Sequence, residues 1–143
     1  MHIEQILRNK GSDVVTARAS ETVAQAAIRM EANSIGALVI VDDDNAPVGI
    51  LSERDIAHGI NEYGPHLSAT PISMLMSCDV VTCRPGDLIA DIMATMTECR
   101  IRHLPVIDNG KLTGVVSIGN MVKERLNEIE GEANALRIYI AGA

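Results

Sequence analysis

Apolar positions recur along this chain with two periods, and their alternation divides it into elements. Val23, Ala26, Ala27 and Met30 fall at helical spacing after Ser20-Glu21-Thr22, where either hydroxyl suits an N-cap, which predicts a helix with one buried stripe. The continuous apolar run Ala37 to Val41 and the shorter run Val48 to Leu51 flank the polar turn Asp42-Asp43-Asp44-Asn45, which predicts a hairpin buried on at least one face. A second helix starts near Ser52 to Asp55 and is closed by Gly64-Pro65. The same series then returns. Ile89, Ile92, Met93 and Met96 follow Pro85-Gly86-Asp87, and His103 to Ile107 and Leu112 to Val116 flank Asp108-Asn109-Gly110. A helix starting near Ser117 to Asn120 runs on towards the C-terminus.

The two series are copies. Val14-Val15-Thr16 matches Val80-Val81-Thr82, and Arg18, Ala24, Met30, Ile35, Leu38 and Asp42 match Arg84, Ala90, Met96, Ile101, Leu104 and Asp108, all at a separation of 66 residues. One residue is lost in the second turn, so Gly49 and Ser52 match Gly114 and Ser117. The fold class expected is therefore α/β (α+β), built from two pseudo-symmetric β-α-β-β-α units. A short lead-in with helical apolar spacing precedes each unit: Ile3, Ile6 and Leu7, then Ile72, Leu75 and Met76. The expected organisation is a lead-in helix at 1–13, a unit at 14–63, a linker and second lead-in helix at 64–79, a second unit at 80–122 and a helical extension at 123–143. In that extension Val122, Leu126, Ile129, Ala133, Leu136 and Ile140 alternate by four and three, a coiled-coil-like seam of under three heptads. Such a seam packs on its own domain, on a twin subunit, or on a separate partner.

Composition narrows the functional classes. With 143 residues, the chain suits one compact domain or two half-size units sharing a core; without Phe or Trp, that core is made of Val, Ile, Leu, Met and Ala. A net charge of -7 argues against nucleic acid as partner, so an anionic ligand must be small and met by a local basic cluster. No apolar run reaches membrane-span length and Met1 to Gly11 lacks a signal-peptide core, which leads us to expect a cytoplasmic protein. Cys78, Cys83 and Cys99 are odd in number and lack C-x-x-C spacing, so reduced, buried thiols are expected. Nucleophile elbow, phosphate-binding glycine loop and paired acid–base carboxylates are all missing from the motifs; no enzyme, catalytic cofactor or metal site is expected.

The duplication, the order of elements and the Gly-x-x-Ser-x-x-Asp ending of Gly49 to Asp55 together give a chain that resembles a tandem pair of CBS (cystathionine beta-synthase) domains, a Bateman module of the stand-alone bacterial type. The resemblance runs from Val14 to Val122 and is carried by the phrases GALVIVDDD, GILSERDI and RIRHLPVID. It implies a pseudo-two-fold pair of units, commonly paired again into a homodimer. It also implies an adenosine-containing ligand held in a cleft between the units and used to sense energy or cofactor state.

The residues supply the chemistry such a ligand needs. Asp55 can take both ribose hydroxyls through its two carboxylate oxygens. Ser52, near the helix start, suits a phosphate. Carried over from the resemblance, Arg102 and His103 meet the phosphate, with Arg100 nearby, and the adenine lies against Val81, Thr82 and Cys83 with Ile50 and Leu51 as walls. Arg54 is expected in a surface or interface ion pair, and Asp42 to Asp44 in a solvated turn. The twin cleft departs from the pattern: Asn120 replaces the Asp, and Gly36-Ala37 stands where the other unit has Arg102-His103. A charge-assisted bond of ~1.5–3 kcal/mol there becomes an ordinary one of ~0.5–1.5. Thr16, Gly36, Ala37, Ser117 and Asn120 are accordingly expected to line a site weaker by roughly tenfold or more.

The leading function is a regulatory module that binds an adenine nucleotide (AMP, ADP, ATP or NAD(H)) and signals to a separate target protein, with the C-terminal helix as a contact. The alternatives are a redox or metal sensor built on Cys78, Cys83, Cys99 and His103, and a dimeric scaffold with degenerate ligand sites.

Overall fold

In the computed structural model, which describes residues 1–11 and 14–142, the two copies fold as the repeat demands. The end of the expected lead-in, 12–13, and residue 143 lie outside the described residues. The chain runs α1 (Ile3–Lys10), β1 (Thr16–Ala17), α2 (Val23–Ala32), β2 (Ala37–Val41), β3 (Pro47–Ser52), α3 (Glu53–Tyr63), two 3-10 turns (Gly64–Ala69 and Ile72–Met74), α4 (Ile89–Cys99), β4 (His103–Asp108), β5 (Lys111–Ser117) and α5 (Ile118–Gly142). β2 pairs antiparallel with β3, and β4 with β5; Asn45, Asn109 and Gly110 adopt the positive φ that these turns need. Thr22 caps α2 by accepting from the Gln25 N–H at 3.2 Å.

The lead-ins are exchanged between the units. Ile3 and Ile6 of α1 are fully buried with Cys83, Ile89, Leu104 and Val116, so the first lead-in completes the core of the second unit. Ile72 completes the core of the first, among Ala26, Leu38, Ile40 and Leu51. Matching backbone bonds tie both in place. The Ile3 and Glu4 N–H groups donate to the Asp87 and Pro85 carbonyls, and the Ile72 and Ser73 N–H groups to those of Glu21 and Ala19. The repeated glycine of the strand ending makes the approach feasible. A Cβ at Gly114 would stand 2.5 Å from Leu7 Cδ2, and one at Gly49 2.7 Å from Met76 Sδ.

Four expectations need correction. The first strand of the second unit shrinks to one parallel bridge, Cys83 to Val106, so that sheet has two strands where its counterpart has three. The second lead-in is a 3-10 turn, not an α-helix, since Pro71 opens it and Leu75 already lies outside it. Ala27 is exposed, leaving Val23, Ala26 and Met30 as the buried stripe of α2. The seam of α5 does not pack on its own domain: Leu126, Ile129, Leu136 and Ile140 are about half exposed or more, while Met121 and Glu124 hold the helix to the second unit. No helix among the described residues is long and apolar enough to cross a membrane.

Candidate functional site

The end of β3 and the start of α3 form one wall of a cavity of about 330 Å³ between the two units. Strand alternation selects its residues. Ile50 and Ser52 are half-buried towards the cleft, whereas Gly49 and Leu51 face the core, and Leu51 is wholly buried there. Ser52 is the N-cap of α3, and it forms a reciprocal box with Asp55. The Ser52 N–H and Oγ–H donate to Asp55 Oδ2 at 2.8 and 3.0 Å, and the Asp55 N–H donates to Ser52 Oγ at 3.3 Å. The two-oxygen grip expected of Asp55 is therefore halved. Oδ2 is engaged in the cap, and Oδ1, which makes no hydrogen bond among the described residues, is left for a ligand.

The opposite wall is basic. Arg100 caps α4 in the left-handed conformation, with φ 55°, and the chain then turns through Ile101 and Arg102 into His103 at the head of β4. All four residues line the cavity, together with Arg54 from the first turn of α3. Arg54 makes no ion pair within the chain among the described residues, and it adds a third guanidinium to a cleft on a chain of net charge -7. Its position one residue before Asp55, on the exposed side of α3, was the signal available in the sequence. Ser77 and Asp79 complete the floor; Ser77 reaches it by pairing backbone to backbone with Ile50 at 2.9 and 3.0 Å.

His103 belongs to both clefts. Its imidazole sits against Gly36, where a Cβ would lie 3.3 Å from Nε2. Burial, followed by the nearby Lys10 and Arg102 charges, lowers its pKa below the ordinary 6.5, with Glu53 pulling the other way. On its far side lies a second cavity of about 330 Å³, lined by Lys10, Val15, Gly36, Ala37, Ser117 and Asn120 among others. Asn120 repeats the capping box: the Ser117 N–H donates to Asn120 Oδ1, and the Asn120 N–H to Ser117 Oγ, both at 3.1 Å. This twin cleft has a cation after all. The Lys10 ammonium donates to Asn120 Oδ1 at 3.2 Å and to the Val115 carbonyl at 2.8 Å, and partial burial lowers its pKa.

Several expected positions lie elsewhere. Leu51 is core, as strand alternation requires. Cys83 is 2% exposed in the core of the second unit with its Sγ towards the Pro105 carbonyl, and burial, with Asp87 nearby, pushes its thiol up to about 12. Thr82 is exposed and does not line the cleft; Val81 does. Thr16 is likewise displaced by Val15 in the twin cleft, its carbonyl accepting from Arg29 at 3.0 Å. Cys78 and Cys99 are exposed rather than buried. No group of three or more His, Cys, Asp or Glu side chains among the described residues could hold a metal ion. The acidic turn is solvated as expected, Asp42 Oδ1 accepting from the Asp44 and Ala46 N–H groups at 2.9 Å.

Comparison with known proteins agrees with this geometry. The family model for the CBS domain matches residues 4–62 and 72–127. The CBS domain-containing protein YhcV of Bacillus subtilis is 32% identical over 123 residues, covering 85% of this chain and 86% of its own length. Among solved structures, the CBS-domain containing protein ATU1752 from Agrobacterium tumefaciens superposes with a TM-score of 0.85 at 36% identity, covering 87% of this chain and 99% of that one. The CBS domain pair of protein MJ0100, in complex with 5'-methylthioadenosine and S-adenosyl-L-methionine, shares the fold at 22% identity and a TM-score of 0.80, over 90% and 98% of the two chains. With two matched repeats and two pseudo-equivalent clefts, this chain belongs to the CBS-domain family as a tandem pair, a regulatory module of α+β fold.

Proposed function

We propose that the chain binds an adenosine phosphate (AMP, ADP, ATP or NAD(H)) in the cleft between Asp55 and the Arg100–His103 segment, and that occupancy of the cleft is read by a separate target protein. One observation carries the reading. A carboxylate oxygen left unbonded at a helix N-terminus shares a mononucleotide-sized cavity with three arginines and a histidine, which face the carboxylates of Glu53, Asp55 and Asp79. Asp55 Oδ1 accepts from a ribose hydroxyl. Arg54, Arg100 and Arg102 neutralise phosphate, and Ile50, Val81 and Ile101 offer the apolar surface for adenine. The adenosine-containing ligands in the CBS pair of MJ0100 are consistent with this ligand class.

The twin cleft is the weaker of the two. Asn120 Oδ1 is occupied by both Ser117 and Lys10, which leaves the amide nitrogen, a donor, where Asp55 presents an acceptor. For about two dozen heavy atoms at ~0.3 kcal/mol each, affinity falls in the micromolar to tens of micromolar range, suited to sensing a cellular pool. Calorimetric titration of the ligand-stripped protein with AMP, ADP, ATP, NAD, NADH and S-adenosylmethionine, repeated on Asp55→Ala, tests the reading. Binding abolished in the variant supports it, and no binding by any of them returns the module to a scaffold role.

A further inference from the structure

We infer that α5 is a homodimer interface, in which two copies pair parallel and in register along the seam from Val122 to Ile140. The helix is anchored on one face only. Met121 is wholly buried and Glu124 nearly so, its carboxylate accepting from Asn9 Nδ2 at 3.1 Å. The seam is turned well away from that face and lies open: Val122 is 42% exposed, Leu126 54%, Leu136 59% and Ile140 65%. At about 1.5 Å per residue the stripe is about 27 Å long. A free helix of this length is marginal in water, but α5 grows from turns already fixed on the second unit, so its nucleus exists.

The charges beside the seam select the occupant and its direction. With Leu126, Ala133 and Ile140 at a and Val122, Ile129 and Leu136 at d, the e positions are Lys123, Glu130 and Arg137, and the g positions are Arg125, Glu132 and Tyr139. Parallel pairing in register sets Arg125 against Glu130 of the second copy and Glu132 against Arg137 of the second copy, each twice by symmetry. Antiparallel pairing of the same seam opposes Lys123 to Arg137, Glu130 to Glu130 and Glu132 to Glu132. Every pair of charges so opposed attracts in the first arrangement and repels in the second. Arg125 now bonds Glu128 of its own helix at 3.0 Å, an exposed contact that a second copy can share or replace.

Sedimentation equilibrium of the full chain tests the pairing, and cross-linking tests its direction. The account expects a dimer weakened at least about tenfold by Leu126→Lys. It also expects Arg125→Glu to weaken the dimer by about tenfold and Arg125→Glu/Glu130→Arg to restore it. In a background with Cys78→Ser and Cys99→Ser, Leu136→Cys should form an intermolecular disulfide, because the parallel register sets the residue against its own copy. These positions are exposed, so the fold survives the changes. A monomeric wild-type chain, including one that pairs only with a different protein, overturns the inference. So does a dimer indifferent to Leu126→Lys, or one in which Leu136→Cys fails to cross-link while Leu126→Cys/Leu136→Cys succeeds, the antiparallel result.

Discussion

The Lys10 ammonium stands 3.2 Å from the amide oxygen of Asn120, joining the first helix of the chain to the first turn of the last. That contact brings a lysine into the twin cleft, the only one lining it among the described residues, from an element that precedes the other unit in sequence. Removing it with Lys10→Met should lower the twin cleft's affinity for an adenosine phosphate by about tenfold while leaving the first cleft within about a factor of two. A two-site calorimetric isotherm separates the two events.

The second unit already shows what Asp55→Asn does to the fold. Asn120 closes the same box with Ser117 at 3.1 and 3.1 Å, so Asp55→Asn should leave stability within about 0.5 kcal/mol of the wild type. Nucleotide affinity should nevertheless fall by about tenfold or more, because the free acceptor at Oδ1 is lost. Asp55→Ala should lose affinity and, with the box gone, about 1 kcal/mol of stability as well. Urea unfolding beside titration distinguishes the two variants.

His103 should make both stability and binding respond to pH, in opposite directions. Its pKa is lowered in the folded chain, so as pH falls the unfolded chain takes the proton first. The stability it contributes is whole above about 6.5 and is lost as pH falls through 6.5 towards the folded value. A bound phosphate favours the imidazolium, so affinity for AMP should rise as pH is lowered from about 8 to about 6.5, above the phosphate's own second pKa of about 6. Uncharged adenosine should show no such slope, and His103→Gln should flatten the slope for AMP. Titrations in buffers of different ionisation enthalpy count the proton taken up.

The repeated glycines should be asymmetric in cost. At Gly49 a methyl group meets Met76 Sδ at 2.7 Å and the Ser77 carbonyl at 3.1 Å, and a backbone oxygen paired to Ile50 cannot easily retreat. Gly49→Ala should cost about 1–3 kcal/mol in chemical denaturation. Gly114→Ala should cost less, because Leu7 alone must move, and Leu7→Ala should relieve it.

Where the sequence was readable, the reason was local. Hairpins, helix starts and the Ser52–Asp55 ending lie within one repeat, and period-two alternation separates Ile50, towards the cleft, from Leu51, in the core. The same period puts Val81 and Cys83 on one face, so it does not foretell that Val81 lines the cleft while Cys83 is core. Lys10, by contrast, reaches Asn120 only because the lead-ins are exchanged, and that exchange depends on Gly114 receiving Leu7 from the far end of the chain. No local pattern carries such a contact. Arg54 was visible as an exposed arginine beside Glu53, but its place in the cleft follows only from the facing wall of Arg100 and Arg102, which no local pattern reveals.

Calorimetric titration of the ligand-stripped wild-type chain with AMP, set beside Asp55→Asn, tests the central claim most directly. The account predicts micromolar to tens of micromolar binding at one cleft and a weaker second event. In the variant the first should weaken by about tenfold or more with the fold intact. Undiminished binding in a folded Asp55→Asn protein would contradict it.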